Sequence, residues 1–195
     1  YAKYAEGYRA GGASSRTANY QAFDPEDNKS YEVGMKSDFW DRRARLNLAA
    51  YTMNRLNSQV DISSIQATAT GNFNNLVTIN APGTTKINGL EADFTIKPID
   101  NLQVNLNYAY TTTDIPLVNI TATAGGLSTS VWQKFYVVYT PKNAYSASVD
   151  YTVPLAVKSL KFHVDGNHAD ATQTFDQFAT KNDASTIFNA RASLV

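Results

Sequence analysis

From Leu102 to Tyr110, apolar and polar side chains alternate. Leu102, Val104, Leu106, Tyr108 and Tyr110 fall on one face, and Gln103, Asn105, Asn107 and Ala109 on the other. A period of two is the signature of a strand whose faces meet different media, and here the polar face carries amides rather than charges. The pattern recurs in Tyr145, Ala147, Val149, Tyr151 and Val153, in Leu160, Phe162 and Val164, in Leu90, Ala92, Phe94 and Ile96, and in Phe188, Ala190, Ala192 and Leu194. Tyr31, Val33 and Met35, the run Ala44 to Arg55, and Tyr1 to Arg9 read as further strands, although the faces of the last do not separate by polarity. Roughly eight strands result.

The connections carry as much information. Asp38 to Arg43, Pro98 to Asn101 and Pro154 to Ser159 read as short turns. Ala10 to Asn28, Leu56 to Thr84, Asp114 to Lys142 and Asp170 to Ala184 read as long polar loops. Short and long connections alternate, so an up-and-down meander gathers the short ones at one end and the long ones at the other. Outer-membrane barrels have that arrangement. Eighteen Asn and 20 Thr stand beside 12 Tyr and 9 Phe, as an all-β chain with amide-rich turns requires. No run approaches the ~20 apolar residues of a membrane helix. With 17 basic and 17 acidic residues there is no basic excess to serve a nucleic acid. The absence of cysteine removes disulfides, thiolate metal ligands and a cysteine nucleophile.

A soluble sandwich would also alternate, and a soluble carbohydrate-binding β-protein is the alternative at this point. The strands, however, approach the ~9–11 residues that cross a bilayer, beyond the ~5–6 usual in globular sheets. Aromatic residues also gather near strand ends, at headgroup levels: Phe39 and Trp40 at a short turn, and Tyr108, Tyr110 and Tyr145 toward the long loops.

Several segments resemble the distal half of the barrel of TonB-dependent outer-membrane receptors. Tyr1-Ala-Lys-Tyr-Ala-Glu-Gly-Tyr-Arg-Ala-Gly-Gly12 is similar to that family's Y-A-x-Y-x-x-G-[FY]-R-x-G-G strand. Asp24-Pro-Glu26 followed by Ser30-Tyr-Glu-Val-Gly-Met-Lys-Ser37 resembles its P-E-x-x-x-S-Y-E-x-G-x-K-S stretch. Asp41 to Tyr51 resembles the strand that follows. Ile87-Asn-Gly-Leu-Glu-Ala-Asp93 resembles its x-x-G-x-E-x-E strand, with Asp93 in place of the second Glu. The resemblance implies a transport receptor rather than an enzyme, set in the outer membrane of a Gram-negative bacterium among its lipids. It implies a barrel of about 22 strands, a plug domain with a TonB box, and no cofactor. Residues 1–195 would then be part of the barrel domain, without the plug and the final strands. The implied partners are the TonB–ExbB–ExbD energy-coupling complex, reached through the plug region, and a scarce nutrient such as a ferric siderophore. A passive porin or structural barrel is the alternative. Geometry favours a wall over a complete small barrel. Eight strands tilted ~40° close at a diameter of ~16 Å, which side chains fill, whereas 22 strands leave room for a plug.

The expected ligand-contacting residues are aromatics of the outer loops: Trp132, Phe135 and Tyr136, with Tyr20 and Phe23. Val131 to Tyr139 could equally be strand rising above the membrane, with its aromatics packed on neighbouring loops. Glu91, Asp93, Asn105, Lys161, His163 and Arg191 are expected to face the lumen, as a solvated wall or as contacts for plug or substrate. His163 and His168 lack the three convergent ligands of a metal site, so no metal is expected. Glu91 and Asp93 lack the desolvating pocket that glycosidase chemistry needs. No Ser–His–acid triad is legible. Gly125-Gly126 lacks the context of a phosphate cradle. Gly7, Gly34 and Gly89 are expected to relieve crowding or bend the wall.

Overall fold

A computed structural model describes residues 1–15, 20–68, 71–124 and 127–195, with the side chains of 64–75 and 122–127 outside the description. Among the described residues the chain is all strand and turn. In order, the strands are β1 (Ala2–Arg9), β2 (Gly12–Ala13), β3 (Ala22–Phe23), β4 (Glu26–Phe39), β5 (Ala44–Leu56), β6 (Gln59–Thr68), β7 (Gly71–Asn80), β8 (Thr84–Ile99), β9 (Leu102–Asp114), β10 (Val118–Ala124), β11 (Leu127–Gln133), β12 (Asn143–Pro154), β13 (Ser159–Ala169), β14 (Thr172–Gln173), β15 (Lys181–Asn182) and β16 (Ser185–Leu194). Eight of them form one antiparallel sheet in the order β1-β4-β5-β8-β9-β12-β13-β16. This is the expected meander. The four long connections, polar loops by their sequence, are ordered. Each folds into its own hairpin: β2–β3, β6–β7, β10–β11 and β14–β15.

Register explains the two faces. Leu46, Phe94 and Leu106 stand in one cross-strand row with Ala147, Gly166 and Phe188. A row of Ala44, Ile96, Val104, Val149, Val164 and Ala190 lies beside it. Among the described residues no element packs over this face, and only Ala44, at its short-turn end, is buried. Val33, Val164 and Phe188 are 61, 53 and 77% exposed, and Leu90, Leu106, Val149 and Phe162 are exposed as well. An uncovered apolar surface this large is foreign to a water-soluble monomer. It is what a barrel wall presents to hydrocarbon.

Aromatic side chains on that face show how the wall is inclined. Tyr4 and Tyr31 lie 5.0 Å apart by ring centroids, in the row that continues through Thr52, Asn88 and Thr112. Across the sheet, the aromatic row is Tyr108, Tyr145 and His168, and Tyr145 and His168 stack at 4.7 Å. Thr112 and Tyr108 are one strand's members of the two rows, so the aromatics descend four residues, ~14 Å, across five strand spacings, ~24 Å. A level aromatic ring therefore needs strands inclined by ~30°, near the ~35–45° of outer-membrane barrels.

Glycines on the opposite face make room for rings. A Cβ at Gly34 would lie 2.5 Å from the Tyr1 ring, and one at Gly89 would lie 2.2 Å from that of Tyr51. Gly7 does not share this reason, since a Cβ there would meet nothing within 4 Å. At the short-turn end, Trp40, Asp41 and Arg42 take left-handed φ of 53, 50 and 63°. Arg43 N–H closes that turn on the Trp40 carbonyl at 2.9 Å.

Candidate functional site

Glu91, Asp93, Asn105, Lys161, His163 and Arg191 all fall on the polar face of the sheet. The face is knit together across strands. Thr95 and Gln103 donate to Asn105 Oδ1, each at 3.0 Å, and Asn105 Nδ2 donates to Ser148 Oγ at 3.0 Å. Asn107 Nδ2 reaches Ser146 Oγ at the same distance. His163 lies between two carboxylates, with Nδ1 2.7 Å from Asp150 Oδ1 and Nε2 3.2 Å from Asp165 Oδ1. Only an imidazolium can donate to both carboxylates at once. Asp165 also accepts from Asn167 and Asn189, each at 3.0 Å. Among the described residues no three His, Asp or Glu side chains converge as a metal ligand set.

Among the described residues, the buried hydrophobic side chains other than Ala44 lie outside the sheet. Val60, Ala81, Ile115, Val118 and Phe135 form a core there, with Ile62, Ile79, Ile120 and Val137 packed around them. It joins the second and third hairpins above the wall. The base of this cap is held by Glu26, which receives Arg55 in a two-pronged ion pair at 2.7 and 2.8 Å and the Gln59 N–H at 2.8 Å. Burial opposes the charge on Glu26, but the Arg55 guanidinium and the Gln59 N–H outweigh it and hold the carboxyl below its ordinary value. Gln59 Nε2 reaches the Ala10 and Asp24 carbonyls, and Asn80 Nδ2 those of Asp24 and Asn57. Thr78 N–H donates to Ser14 Oγ at 3.0 Å. Side chains thus cap hairpin edges that would otherwise offer unpaired N–H and C=O groups.

The five aromatics expected to meet a ligand separate. Trp132 is 63% exposed and Tyr20 67% exposed, both open to a visitor. Tyr136 is half-buried. Phe23 folds back on its own hairpin, its Cζ 2.8 Å from where a Cβ on Gly12 would be. Phe135 is 1% exposed at the centre of the cap's core, and burial removes it from the surface that a ligand could touch. β11 ends at Gln133, so Val131 to Tyr139 is only partly strand. Gly125-Gly126 lies outside the described residues. Two residues missed from the sequence, Phe175 and Phe178, are 57 and 48% exposed and meet edge to face at 6.2 Å. They stand in the fourth hairpin, which is tied to the end of β11, where Gln133 Nε2 donates to the Gln177 carbonyl at 2.7 Å. Isolated phenylalanines in a polar stretch give no periodic signal, so only the hairpin contacts reveal them.

Residues 1–194 match the family described as TonB dependent receptor-like, beta-barrel. The fold is similar to that of the ferric yersiniabactin uptake receptor FyuA from Yersinia pestis, with a TM-score of 0.68 at 15% identity, over 97% of this chain and 26% of that one. It is also similar to the siderophore receptor PiuA from Acinetobacter baumannii, with a TM-score of 0.67 at 19% identity, over 98% and 26%. The ferric-catecholate import receptor Fiu from Escherichia coli K12 gives 0.62 at 16% identity, over 98% and 26%. This chain spans about a quarter of the length of these structures.

Proposed function

This chain belongs to the TonB-dependent receptor β-barrel family, and on that premise we propose that it supplies wall and outer hairpins to an outer-membrane receptor for a scarce nutrient such as a ferric siderophore. The observation that carries this reading is the sheet's two-sidedness, with an apolar face that no described element packs over and a polar face knit by amides, carboxylates and His163. The first suits hydrocarbon. The second suits a hydrated lumen holding a plug domain, with Glu91, Asp93, Asn105, Lys161, His163 and Arg191 turned toward it. Transport would be driven by the TonB–ExbB–ExbD complex acting on a plug contributed by another part of the receptor. The family is one of transport receptors rather than enzymes. The exposure of Trp132, Phe175 and Phe178 on hairpins at one end supports a role for them in meeting the ligand, with exposed Tyr20 on the first hairpin and half-buried Tyr136 as further candidates. Exposed rings grip planar or apolar ligands.

The test is accumulation of radio-iron from a panel of ferric chelates, in cells lacking the native receptor and complemented with the full-length protein. TonB-dependent uptake of at least one chelate is the expected result, and equal accumulation with and without TonB would support the passive porin. The Trp132→Ala/Phe178→Ala double variant should raise the half-saturating concentration about tenfold, as loss of ~1.4 kcal/mol implies. An unchanged value would dismiss the aromatic contact.

A further inference from the structure

The fourth hairpin does more than present two phenylalanines. Residues 173–177 run between the second and third hairpins and are bonded to both. Toward the second hairpin, Gln177 Oε1 accepts the Ser63 N–H at 2.9 Å, and the Asp61 N–H faces the half-buried Asp176 carboxyl. Asp61 and Ser63 are alternate residues of β6, so both N–H groups leave the same edge of that strand. Toward the third hairpin, the Asp176 and Gln173 carbonyls accept Tyr136 N–H at 2.9 Å and Tyr139 N–H at 3.0 Å. The Gln177 carbonyl accepts Gln133 Nε2. Two hairpins distant in sequence are therefore held by one five-residue strap.

We propose that residues 173–177 are a latch across the outer mouth of the receptor, loosened when the Asp176 carboxyl is charged and tightened when it is neutral. The latch sits poorly with charge. Burial pushes the Asp176 carboxyl up, the Asp61 carboxylate adds to the push, and the Asp61 N–H opposes it. Among the described residues no cation is paired with it. On β6 the titratable neighbour is Asp61, whose carboxylate accepts the Thr78 hydroxyl. On the third hairpin they are Tyr136, Tyr139 and Lys134, and the ammonium of Lys134 is bound to Asp114 at 2.6 Å and the Ile115 carbonyl at 2.9 Å. On the latch's own hairpin they are Lys181, opposite Gln173 in register, and Asp183. A carboxyl whose affinity for protons is higher in the closed latch than in the open one favours closure below its ordinary value. That stabilisation is lost as pH rises through the raised value. The latch is a property of the hairpins and holds whatever ligand the receptor takes.

Hydrogen exchange of the full-length receptor in lipid nanodiscs tests it without a ligand, read by mass spectrometry and corrected for intrinsic rates. Peptides covering 61–63 and 136–139 should lose protection together, severalfold, as pH rises from about 3.5, below the ordinary carboxylate value, to about 7. Asp176→Asn keeps an acceptor for the Asp61 N–H and should abolish that pH dependence. Gln177→Ala should expose both peptides, although its side chain touches only the first. Should Asp176→Asn fail to insert, Asp61→Asn removes the neighbouring charge and must shrink the pH response. Exchange of the two peptides independently of each other, or a wild-type pH response in the neutralised variant, overturns the latch.

Discussion

Arginine placed on alternate faces of the wall separates hydrocarbon from water. Val164 stands mid-strand in β13, on the apolar face, between Val149 and Ala190, and is 53% exposed. In β13 this face runs from Leu160 to His168, so Val164 falls near the middle of the band. An arginine facing lipid at that depth costs ~2–4 kcal/mol, falling toward zero at the interfaces. Asn189 of β16 lies in the neighbouring register, opposite Asp165 on the polar face, where its amide donates to that carboxylate at 3.0 Å. An arginine at 189 can still donate to Asp165, and its charge meets water, so the change should stay within ~0.5 kcal/mol. In equilibrium unfolding of the full-length receptor from lipid vesicles, Val164→Arg should lower the folding constant about a hundredfold, with Asn189→Arg near wild type. Were the apolar face in water, Val164→Arg would be an ordinary surface change. Equal losses from the two variants, or none from Val164→Arg, would refute the assignment of faces.

Three further outcomes follow from the cap. Arg55→Met strands the Glu26 carboxylate and should destabilise by ~3 kcal/mol, with protease cutting of the second hairpin as the readout. In the wild type, the Glu26 contribution is present above the ordinary carboxylate range and is lost as pH falls through the lowered value. Hairpin protection should therefore collapse in acid and not in base. Phe135→Ala empties the centre of the cap's core, a change worth ~3–5 kcal/mol. It should open the second and third hairpins to protease while leaving the midpoint of wall unfolding unchanged.

The wall was legible because each side of it meets one medium. Leu102 to Tyr110 and Tyr145 to Val153 alternate cleanly, and a one-residue slip would put every apolar group on the wrong face. The hairpins were not legible, because both of their faces meet water or another hairpin. Gly71 to Asn80 carries Asn72, Asn74 and Asn75 among its apolar residues and shows no clean period, yet pairs in full with β6. Its edges are satisfied by side chains such as Ser14, which no periodicity can announce. The ion pair of Glu26 and Arg55 joins residues brought together only by the register of β4 with β5. The aromatic cluster around Trp132 stood out by composition, but composition could not tell Phe135, packed inside, from Trp132, left outside. The six polar-face residues were found by parity alone; their partners, above all the two carboxylates around His163, needed the cross-strand register.

The central claim is that hydrocarbon meets one side of this sheet. Single tryptophans placed in turn at positions 104 to 107 of the full-length receptor, with the native tryptophans replaced, would be read by quenching from lipids brominated mid-chain. Quenching should alternate, strong at 104 and 106 and weak at 105 and 107. Uniform quenching along the strand, or none at 104 and 106, would contradict the account.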